Sequence, residues 1–390
     1  MKKLILYVFA AVAICGCADK GYAVTGQAGE KDGEAVLQYM NPAGEMVCDT
    51  VAMTAGAFKF TGKVDDVCSA GLVVTPADEA PVQCNFYLEN AKISVKIDLE
   101  NVVDYGAYGG LVCIAPEVEG GRNNAFACDM KAAENAVKAQ PEFAEYVADQ
   151  EALVAMGYSD VAAYRAKSEE IRAKYDPQLI EQYYDARMAA NLECVKAHPD
   201  CEAAAMLYGV YAQDLPLDEY EAGFEGFTPE VKASAMAKDI VEEIAARRAT
   251  APGSEAPDFT LKDREGNDVA LSSLRGKYVI IDFWASWCRP CRAGMPAMKQ
   301  TYAKYRDKGL EILGVSVDSE SDKWTAALDQ EQLPWINVID EFPAQNKSAR
   351  VISSYGVHYI PCYFLVDPEG KIIGQMEHDA LEEKLAELMS

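Results

Sequence analysis

Histidine and basic residues are scarce in this chain of 390 residues. The three histidines, His198, His358 and His378, are far apart, and no second Cys-x-x-Cys accompanies the one at 288–291. A structural zinc site therefore lacks two further ligands at matching spacing, and we predict neither a metal nor a cofactor. Acidic residues outnumber basic ones by 62 to 36, for a formal net charge of −26. No basic patch with interleaved aromatics exists, so nucleic-acid binding is not expected.

Apolar runs long enough to cross a bilayer are also missing. The run at residues 4–14 follows Lys2 and Lys3, is too short to span, and fits the hydrophobic part of a signal peptide. It ends in Ile-Cys-Gly before Cys17, which resembles a bacterial lipobox. We therefore expect residues 1–16 to be a lipoprotein signal peptide and Cys17 to carry a lipid anchor. The mature protein would then face the periplasmic side of the cell envelope. A signal peptide cleaved without lipidation is the alternative.

The segment that best indicates the protein's chemistry is Cys288-Arg289-Pro290-Cys291. The apolar, β-branched run before it, residues 278–283, predicts a buried strand, and residues 292–306 predict a helix. Unpaired N–H groups and the dipole at a helix start favour a thiolate, and the neighbouring arginine adds a cation. A thiolate with a second thiol one turn away can attack a disulfide and resolve the mixed disulfide. Dithiol–disulfide exchange is the predicted chemistry, with a zinc ligand pair or an inert disulfide as alternatives.

Further motifs surround this pair in a characteristic order. They are Ala256-Pro257-Asp258-Phe259, Leu271-Ser272-Ser273-Leu274-Arg275-Gly276-Lys277, Phe283-Trp284-Ala285-Ser286-Trp287-Cys288, Met295-Pro296, Gly314-Val315-Ser316-Val317-Asp318, Leu333-Pro334-Trp335, Tyr355-Gly356-Val357, Ile360-Pro361 and Phe364-Leu365-Val366-Asp367-Pro368. On these motifs, residues 254–390 resemble the TlpA/ResA-like thiol:disulfide oxidoreductases of the thioredoxin superfamily. The resemblance implies an α/β thioredoxin-like domain. It also implies an enzyme that reduces protein disulfides with electrons from an upstream thiol reductant. A disulfide isomerase or oxidase, or a non-enzymatic envelope scaffold with an auxiliary redox module, is the alternative.

The resemblance also implies roles for single residues. Cys288 would be the exposed nucleophile and Cys291 the buried resolving thiol. Pro361 would follow a cis peptide bond that faces the cysteine pair and shapes the surface for an extended substrate segment. The other side chains expected to face the substrate are Trp287, Arg289, Pro290 and Ile360.

Asp282 lies on the predicted buried strand, six positions before Cys288. Burial there should raise the pKa of its carboxyl group. In thioredoxins a buried acid at this position moves the proton of the resolving thiol; a purely structural Asp is the alternative. The family often carries a second acid six residues after the first cysteine, but Gly294 stands there in this chain. Cys362 occupies a position where the family commonly has Thr. It is expected to be a small buried residue, with off-pathway disulfides as the alternative.

A peroxiredoxin is the nearest rival family, because it shares the Ala-Pro-Asp-Phe opening. Its peroxidatic cysteine needs a Pro-x-x-x-Thr-x-x-Cys surround. Counting back from Cys288, Ala285 stands at the Thr position and Ile281 at the Pro position. Peroxidase activity is therefore not expected.

Residues 17–122 are predicted to form a small all-β sandwich. Alternating runs at 35–39, 58–60 and 92–97 are separated by Gly, Asn, Pro and Asp turns. The region resembles, more weakly, the small β domain of unknown function found ahead of thioredoxin modules in some bacterial lipoproteins. A spacer or docking role near the membrane would suit that position.

Residues 123–250 are predicted to be helical. Helix starts are indicated at Asp160, Asp176, Asp200 and Thr228, since each is a capping residue type, and two are followed directly by Pro. The region could bind a partner, form a dimer or orient the catalytic module.

Eight cysteines remain after the signal, the lipid site and the redox pair are set aside. They are Cys48, Cys68, Cys84, Cys113, Cys128, Cys194, Cys201 and Cys362. An oxidising envelope permits an even set to pair. Their connectivity cannot be read from the sequence, and several lie in strand-like runs where a cysteine also serves as a small core residue.

Overall fold

The computed structural model describes residues 21–342 and 349–389. The predicted signal peptide and Cys17 lie outside the described residues. The chain divides into two compact units. The first runs to Leu215 and includes Ala222–Asp239, and the second consists of Pro216–Glu221 and the chain from Ile240 onward.

The first unit begins with the predicted β region. Its strands are β1 (Tyr22–Ala28), β2 (Gly33–Met40), β3 (Met46–Met53), β4 (Ala57–Gly62), β5 (Cys68–Pro76), β6 (Val82–Leu88), β7 (Lys92–Ile97), β8 (Val102–Asp104), β9 (Leu111–Cys113) and β10 (Glu117–Glu119). They form two sheets, in the orders β10-β7-β1-β4 and β3-β2-β5-β6-β9-β8. Alternating side chains of both sheets bury one shared apolar core, because successive residues of a strand point to opposite faces.

Helices follow these strands, as the sequence predicts. They are α1 (Arg122–Lys138), α2 (Ala144–Ala155), α3 (Val161–Lys174), α4 (Pro177–Lys196), α5 (Glu202–Tyr211), α6 (Leu217–Glu225), α7 (Pro229–Lys232) and α8 (Lys238–Ala249). Three of the predicted starts are confirmed. Asp160, Asp176 and Thr228 each accept a hydrogen bond from a backbone N–H in the first turn of the helix that follows. Each cap satisfies an N–H group that would otherwise have no partner within its helix.

The predicted start at Asp200 is wrong by one residue. The residue that caps α5 is Cys201, whose own side chain makes no capping hydrogen bond. The Asn123 Oδ1 atom, from a distant part of the chain, accepts the Ala203 N–H at 2.8 Å instead. Asp200 faces outward and lies 3.5 Å from the Arg122 guanidinium. A cap supplied from another helix leaves no signal beside the helix start.

The second unit contains one mixed sheet flanked by helices. Its elements are β11 (Thr260–Asp263), β12 (Asp268–Ala270), β13 (Tyr278–Trp284), α9 (Arg289–Tyr305), β14 (Leu310–Ser316), α10 (Ser321–Glu331), β15 (Ile336–Ile339), α11 (Arg350–Ser354), β16 (Cys362–Val366), β17 (Ile372–Met376) and α12 (His378–Leu388). The strand order is β12-β11-β15-β14-β13-β16-β17. The central strands β13, β14 and β15 are parallel, and β16 runs antiparallel to β13. This is a thioredoxin-like fold.

The two faces of this sheet carry different helices. On one face, α9 and α12 pack on Ile280 and Leu365, and α10 packs with α9 around Trp284. On the other face, α11 covers Ile281 and Phe283. Residues of β13 therefore alternate between two apolar layers, as expected for a strand buried on both sides.

Helix α8 belongs mainly to the C-terminal unit, because that unit begins again at Ile240. The predicted helical region ended at residue 250, so its last helix is structurally part of the unit that carries the cysteine pair. The domain boundaries predicted from the sequence, 17–122, 123–250 and 254–390, remain predictions. Among the described residues, no helix combines the length and the apolar character needed to cross a membrane.

Candidate active site

The cysteine pair lies at the junction between β13 and α9. Cys288 is the N-cap of α9, and Cys291 lies in the helix's first turn. The two are joined by a disulfide, with a Cα–Cα distance of 5.3 Å. The backbone N–H of Cys291 donates to the Cys288 Sγ atom at 3.2 Å. A helix that begins here therefore directs an N–H group and the positive end of its dipole at the Cys288 sulfur.

The expected exposure of Cys288 is wrong for this disulfide-bonded state. Cys288 and Cys291 are both only 4% exposed. The Cys288 Sγ atom lies 3.8 Å from the carbonyl oxygen of Ile360, so the segment before β16 covers it. The peptide bond between Ile360 and Pro361 is cis, as the resemblance implied. A loop segment far away in sequence supplies this cover, so residues near Cys288 could not predict it.

Exposed aromatic side chains flank this buried disulfide. Trp287 is 66% exposed, and Tyr359, which the sequence did not single out, is 61% exposed. Arg289 and Pro290 are also exposed, whereas Ile360 is half-buried. These positions suit side chains that meet a substrate, and their substrate-facing role stays a prediction.

Asp282 lies in the middle of β13, beside Gly314 of β14 and Tyr363 of β16. The side chain is 5% exposed, and burial raises the pKa of its carboxyl group to about 7. Desolvation is the cause of that shift, and no hydrogen bond or counter-ion among residues 21–342 and 349–389 lowers the pKa again. Trp284, two residues on and on the same face, packs in an apolar cluster with Cys291. The predicted burial and raised pKa are confirmed; the proton-transfer role stays a prediction.

The position of the missing second acid, Gly294, lies beside Tyr363 of β16. A Cβ atom at Gly294 would lie 3.7 Å from the Tyr363 hydroxyl oxygen. The hydroxyl group of Tyr363 therefore borders the point on α9 where the family often carries an acid.

Cys362 is a small buried residue, as the preferred interpretation of the sequence proposed. It is 4% exposed, and the Gln375 amide donates to its sulfur at 3.3 Å. Burial raises the pKa of its thiol to about 12. Among the described residues, the one disulfide joins Cys288 to Cys291, and the other cysteines are free thiols. Nor does any group of three or more His, Cys, Asp or Glu side chains suit a metal within residues 21–342 and 349–389.

Asp318 is a site residue that the sequence reasoning missed. Its carboxylate accepts the Ser286 backbone N–H at 2.9 Å and the Ser286 hydroxyl at 2.7 Å. The Ser316 hydroxyl donates to the same carboxylate at 2.7 Å. Asp318 is 2% exposed and lies beyond the end of β14. It therefore holds the loop that leads into the cysteine pair, and the Gly314–Asp318 motif was its only signal in the sequence.

A central parallel strand pair, a disulfide at a helix start and a cis proline facing it together define a thioredoxin-like redox domain. Comparison with known proteins agrees. The AhpC/TSA family matches residues 252–375, and a domain of unknown function (DUF4369) matches residues 22–126.

Proteins similar in sequence indicate which kind of thioredoxin-like redox protein this chain resembles. Thiol-disulfide oxidoreductase ResA from Bacillus thuringiensis (strain Al Hakam) is 36% identical over 133 residues, which are 34% of this chain and 73% of that protein. ResA from Bacillus subtilis (strain 168) is 32% identical over 130 residues, 33% of this chain and 69% of the relative. The crystal structure of the thioredoxin domain of a thiol-disulfide oxidoreductase from Bacteroides vulgatus is 34% identical, with a TM-score of 0.32 over 36% of this chain and 99% of that one.

The chain belongs to the family of ResA-like thiol-disulfide oxidoreductases, through its C-terminal third. It is an enzyme of thiol–disulfide exchange.

Proposed function

We propose that this protein reduces protein disulfides through the Cys288–Cys291 pair while anchored to a membrane of the cell envelope. The observation that carries the proposal is the position of the pair. One sulfur accepts an N–H group at the start of α9 and lies beside the Ile360 carbonyl, and the chain neighbours of Cys288 and Ile360, Trp287 and Tyr359, are both exposed. An extended polypeptide that lies across this surface would bring its own disulfide to Cys288.

The exchange proceeds in two steps, and bonds, protons and electrons balance in each. The Cys288 thiolate attacks one sulfur of the substrate disulfide, forms a mixed disulfide and releases a substrate thiolate. Cys291 gives its proton to the Asp282 carboxylate and attacks the Cys288 sulfur. The internal disulfide forms, the bond to substrate breaks, and the second substrate thiolate takes a proton from solvent. Two electrons pass from the cysteine pair to the substrate, and an upstream thiol reductant restores the dithiol.

The direction of electron flow rests on the family resemblance. The helix start and Arg289 stabilise the thiolate, which favours the reduced form and makes the disulfide more oxidising. An oxidase or isomerase is therefore the second candidate. The reduction potential of the pair, measured against glutathione or dithiothreitol, separates a reductant from an oxidant.

The proposed location depends on the N-terminal segment. Residues 1–16 would be removed as a signal peptide, Cys17 would carry the lipid, and the rest would face the periplasm. Metabolic labelling with a radioactive fatty acid tests this directly: label that is lost in Cys17→Ser supports the anchor. Label that persists, or that never appears, contradicts it.

The redox assignment is tested by insulin reduction with dithiothreitol as the electron donor. Cys288→Ser should abolish catalysis, whereas Cys291→Ser should accumulate a mixed disulfide through Cys288. Cys128→Ser, which removes an exposed thiol of the first unit, is the matched control and should keep the wild-type rate. Full activity in Cys288→Ser would show that the reacting sulfur is elsewhere.

A further inference from the structure

The segment that covers the disulfide is a short loop between α11 and β16. We call residues 356–360 the cover loop. Its last residue, Ile360, places its carbonyl oxygen 3.8 Å from the Cys288 Sγ atom. Within the described chain, no hydrogen bond holds the backbone N–H groups of Tyr359 and Ile360. The position of the loop over Cys288 therefore depends on contacts that its earlier residues make.

Helix α8 packs against the start of the cover loop. A Cβ atom built on Gly356 would lie 3.4 Å from Ala246 Cβ and 3.5 Å from Arg247 Cγ. The Oε2 atom of Glu243 would lie 3.6 Å from the same point. The three helix residues are spaced i, i+3 and i+4, so they share one face of α8. The backbone of the loop therefore lies in van der Waals contact with that face.

A polar contact extends this packing to the middle of the loop. The Oε2 atom of Glu243 lies 2.9 Å from the Nε2 atom of His358. An imidazole that carries a proton on Nε2 donates to this carboxylate, and a fully protonated ring adds a positive charge. The Glu243 side chain is only 12% exposed, so water competes little for the contact. The contact therefore fixes the residue two positions before Ile360.

The other oxygen of the same carboxylate faces a cation. Arg247 Nε lies 3.9 Å from Glu243 Oε1, and the Arg247 guanidinium lies 5.2 Å from the ring centroid of Tyr220. Partners on both oxygens fix the orientation of a carboxylate, because rotation would break one contact or the other. Glu243 is therefore held in an orientation that suits His358.

We propose that Glu243 and His358 are positioning residues for disulfide exchange, through which α8 holds the Ile360 carbonyl beside Cys288 and shapes the surface that receives a polypeptide. This inference rests on the proposed function, in which an extended substrate segment lies across that surface. The chemical steps still belong to the cysteine pair. Helix α8 precedes the residues that resemble known oxidoreductases, so the family motifs contain only one member of the positioning pair.

A positioning role and a purely structural role differ in which substrates they affect. A small disulfide such as 2-hydroxyethyl disulfide needs only access to the Cys288 sulfur. A protein disulfide must also fit the surface beside Ile360. Loss of folded protein or of thiolate reactivity slows both reactions, whereas a displaced cover loop slows the protein substrate alone.

Four variants of the full-length protein test the pair. His358→Leu and Glu243→Leu each remove one partner, and the double variant removes both. His358→Gln keeps an N–H donor that can reach the carboxylate. The matched control is His378→Leu, which alters a histidine of α12 that lies 3.6 Å from the exposed carboxylate of Asp379. Single-turnover oxidation of the reduced cysteine pair is measured with insulin and with 2-hydroxyethyl disulfide.

The expected results separate the two roles. With insulin, each single Leu variant of the pair should react about tenfold more slowly than wild type and than the control. The double variant should be no slower than either single variant, because both singles break one shared contact. His358→Gln should stay within about threefold of wild type, since a neutral hydrogen bond replaces the original. With the small disulfide, every variant should react at the wild-type rate.

Two outcomes of these measurements would overturn the inference. If His358→Leu is oxidised by insulin at the wild-type rate, the contact does not position the substrate surface. If both disulfides react more slowly by the same factor, the contact only maintains the fold or the reactivity of the thiolate.

Hydrogen exchange of the oxidised protein tests the anchor without a substrate. The Val357 N–H donates to the Ile352 carbonyl at 3.2 Å, and its exchange should be about tenfold faster in His358→Leu but not in His378→Leu. Unchanged protection of Val357 would overturn the anchor. Failure of the proposed function looks different: wild type would react with the small disulfide but not with insulin, while the exchange difference would persist. The anchor would then stand, and its role toward substrate would fall with the proposed function.

Discussion

Asp282 destabilises the folded protein when it is ionised, because its carboxyl group is buried and the described part of the chain gives it no counter-charge. Its pKa is about 7 in the folded protein and 3.8 ordinarily. Between those pH values the folded protein binds more protons than the unfolded chain. Stability is therefore highest below the ordinary pKa, falls as pH rises through this window, and levels off above the folded pKa. A shift of this size corresponds to about 4 kcal/mol at most.

Replacing Asp282 with Asn should remove that loss while keeping the shape of the side chain. We expect the free energy of unfolding of oxidised Asp282→Asn to exceed that of wild type by about 2–4 kcal/mol near pH 8. Near pH 4 the two proteins should agree to within about 1 kcal/mol. Urea denaturation at both pH values is the measurement.

The control for this experiment is Asp379→Asn, which alters an exposed carboxylate of α12. It should change stability little at either pH. An Asp282→Asn protein that is no more stable than wild type near pH 8 would mean that the carboxylate has favourable partners that compensate for its burial.

At the scale of elements, the junction between β13 and α9 is held by Asp318 rather than by the cysteines. Its carboxylate binds the backbone and hydroxyl of Ser286, and the Val317 N–H donates to the Trp284 carbonyl at 2.9 Å beside it. These bonds join the carboxyl ends of two parallel strands. The loop before Cys288 is thus positioned by the strand next to it.

Removing the Asp318 carboxylate should loosen this loop. We expect Asp318→Ala to lower the free energy of unfolding by about 2–4 kcal/mol, because the Ser286 N–H loses its partner. Disulfide exchange should slow by about tenfold as the cysteine pair loses its fixed position. Urea denaturation and the insulin assay measure the two effects.

Asp329→Ala serves as the comparison for Asp318→Ala. Asp329 is an exposed residue of α10 that pairs with Arg264 at 2.9 Å. Its loss should cost less than about 1 kcal/mol and leave exchange unchanged. Equal effects of the two substitutions would show that the Asp318 contacts do not position the loop.

At the scale of the whole molecule, the C-terminal unit begins before the residues that resemble its relatives. Within that unit, the Glu243 carboxylate of α8 lies 2.9 Å from the His358 imidazole. Ile240 and Ala246 of the same helix are buried. Helix α8 therefore forms part of the structure that surrounds the redox domain.

A fragment that starts at residue 240 should be more stable than one that starts at residue 254. Losing α8 exposes apolar surface that it covers, at about 25 cal/mol per Å². We expect the melting temperature of the shorter fragment to be lower by about 5–10 °C. Calorimetry of the two oxidised fragments is the measurement. Identical melting temperatures would contradict a structural role for α8 in this unit.

The sequence alone determined the features whose cause is local. The strand before the cysteines, the helix after them and the caps at Asp160, Asp176 and Thr228 all depend on neighbours a few residues away. The raised pKa of Asp282 followed from its place in an apolar strand. The order of motifs from residue 254 onward was sufficient to identify the thioredoxin-like class.

Tertiary structure alone decided the features that join distant parts of the chain. Ile360 covers Cys288, Asp318 holds Ser286, Asn123 caps α5, and the Asn337 amide lies over Gly314. None of these pairs has a fixed spacing or a periodic pattern. Their partners meet only because the strands of a sheet align in one register and the loops between them close. Side-chain chemistry is encoded along the chain, but which polar atoms share a buried space depends on that register.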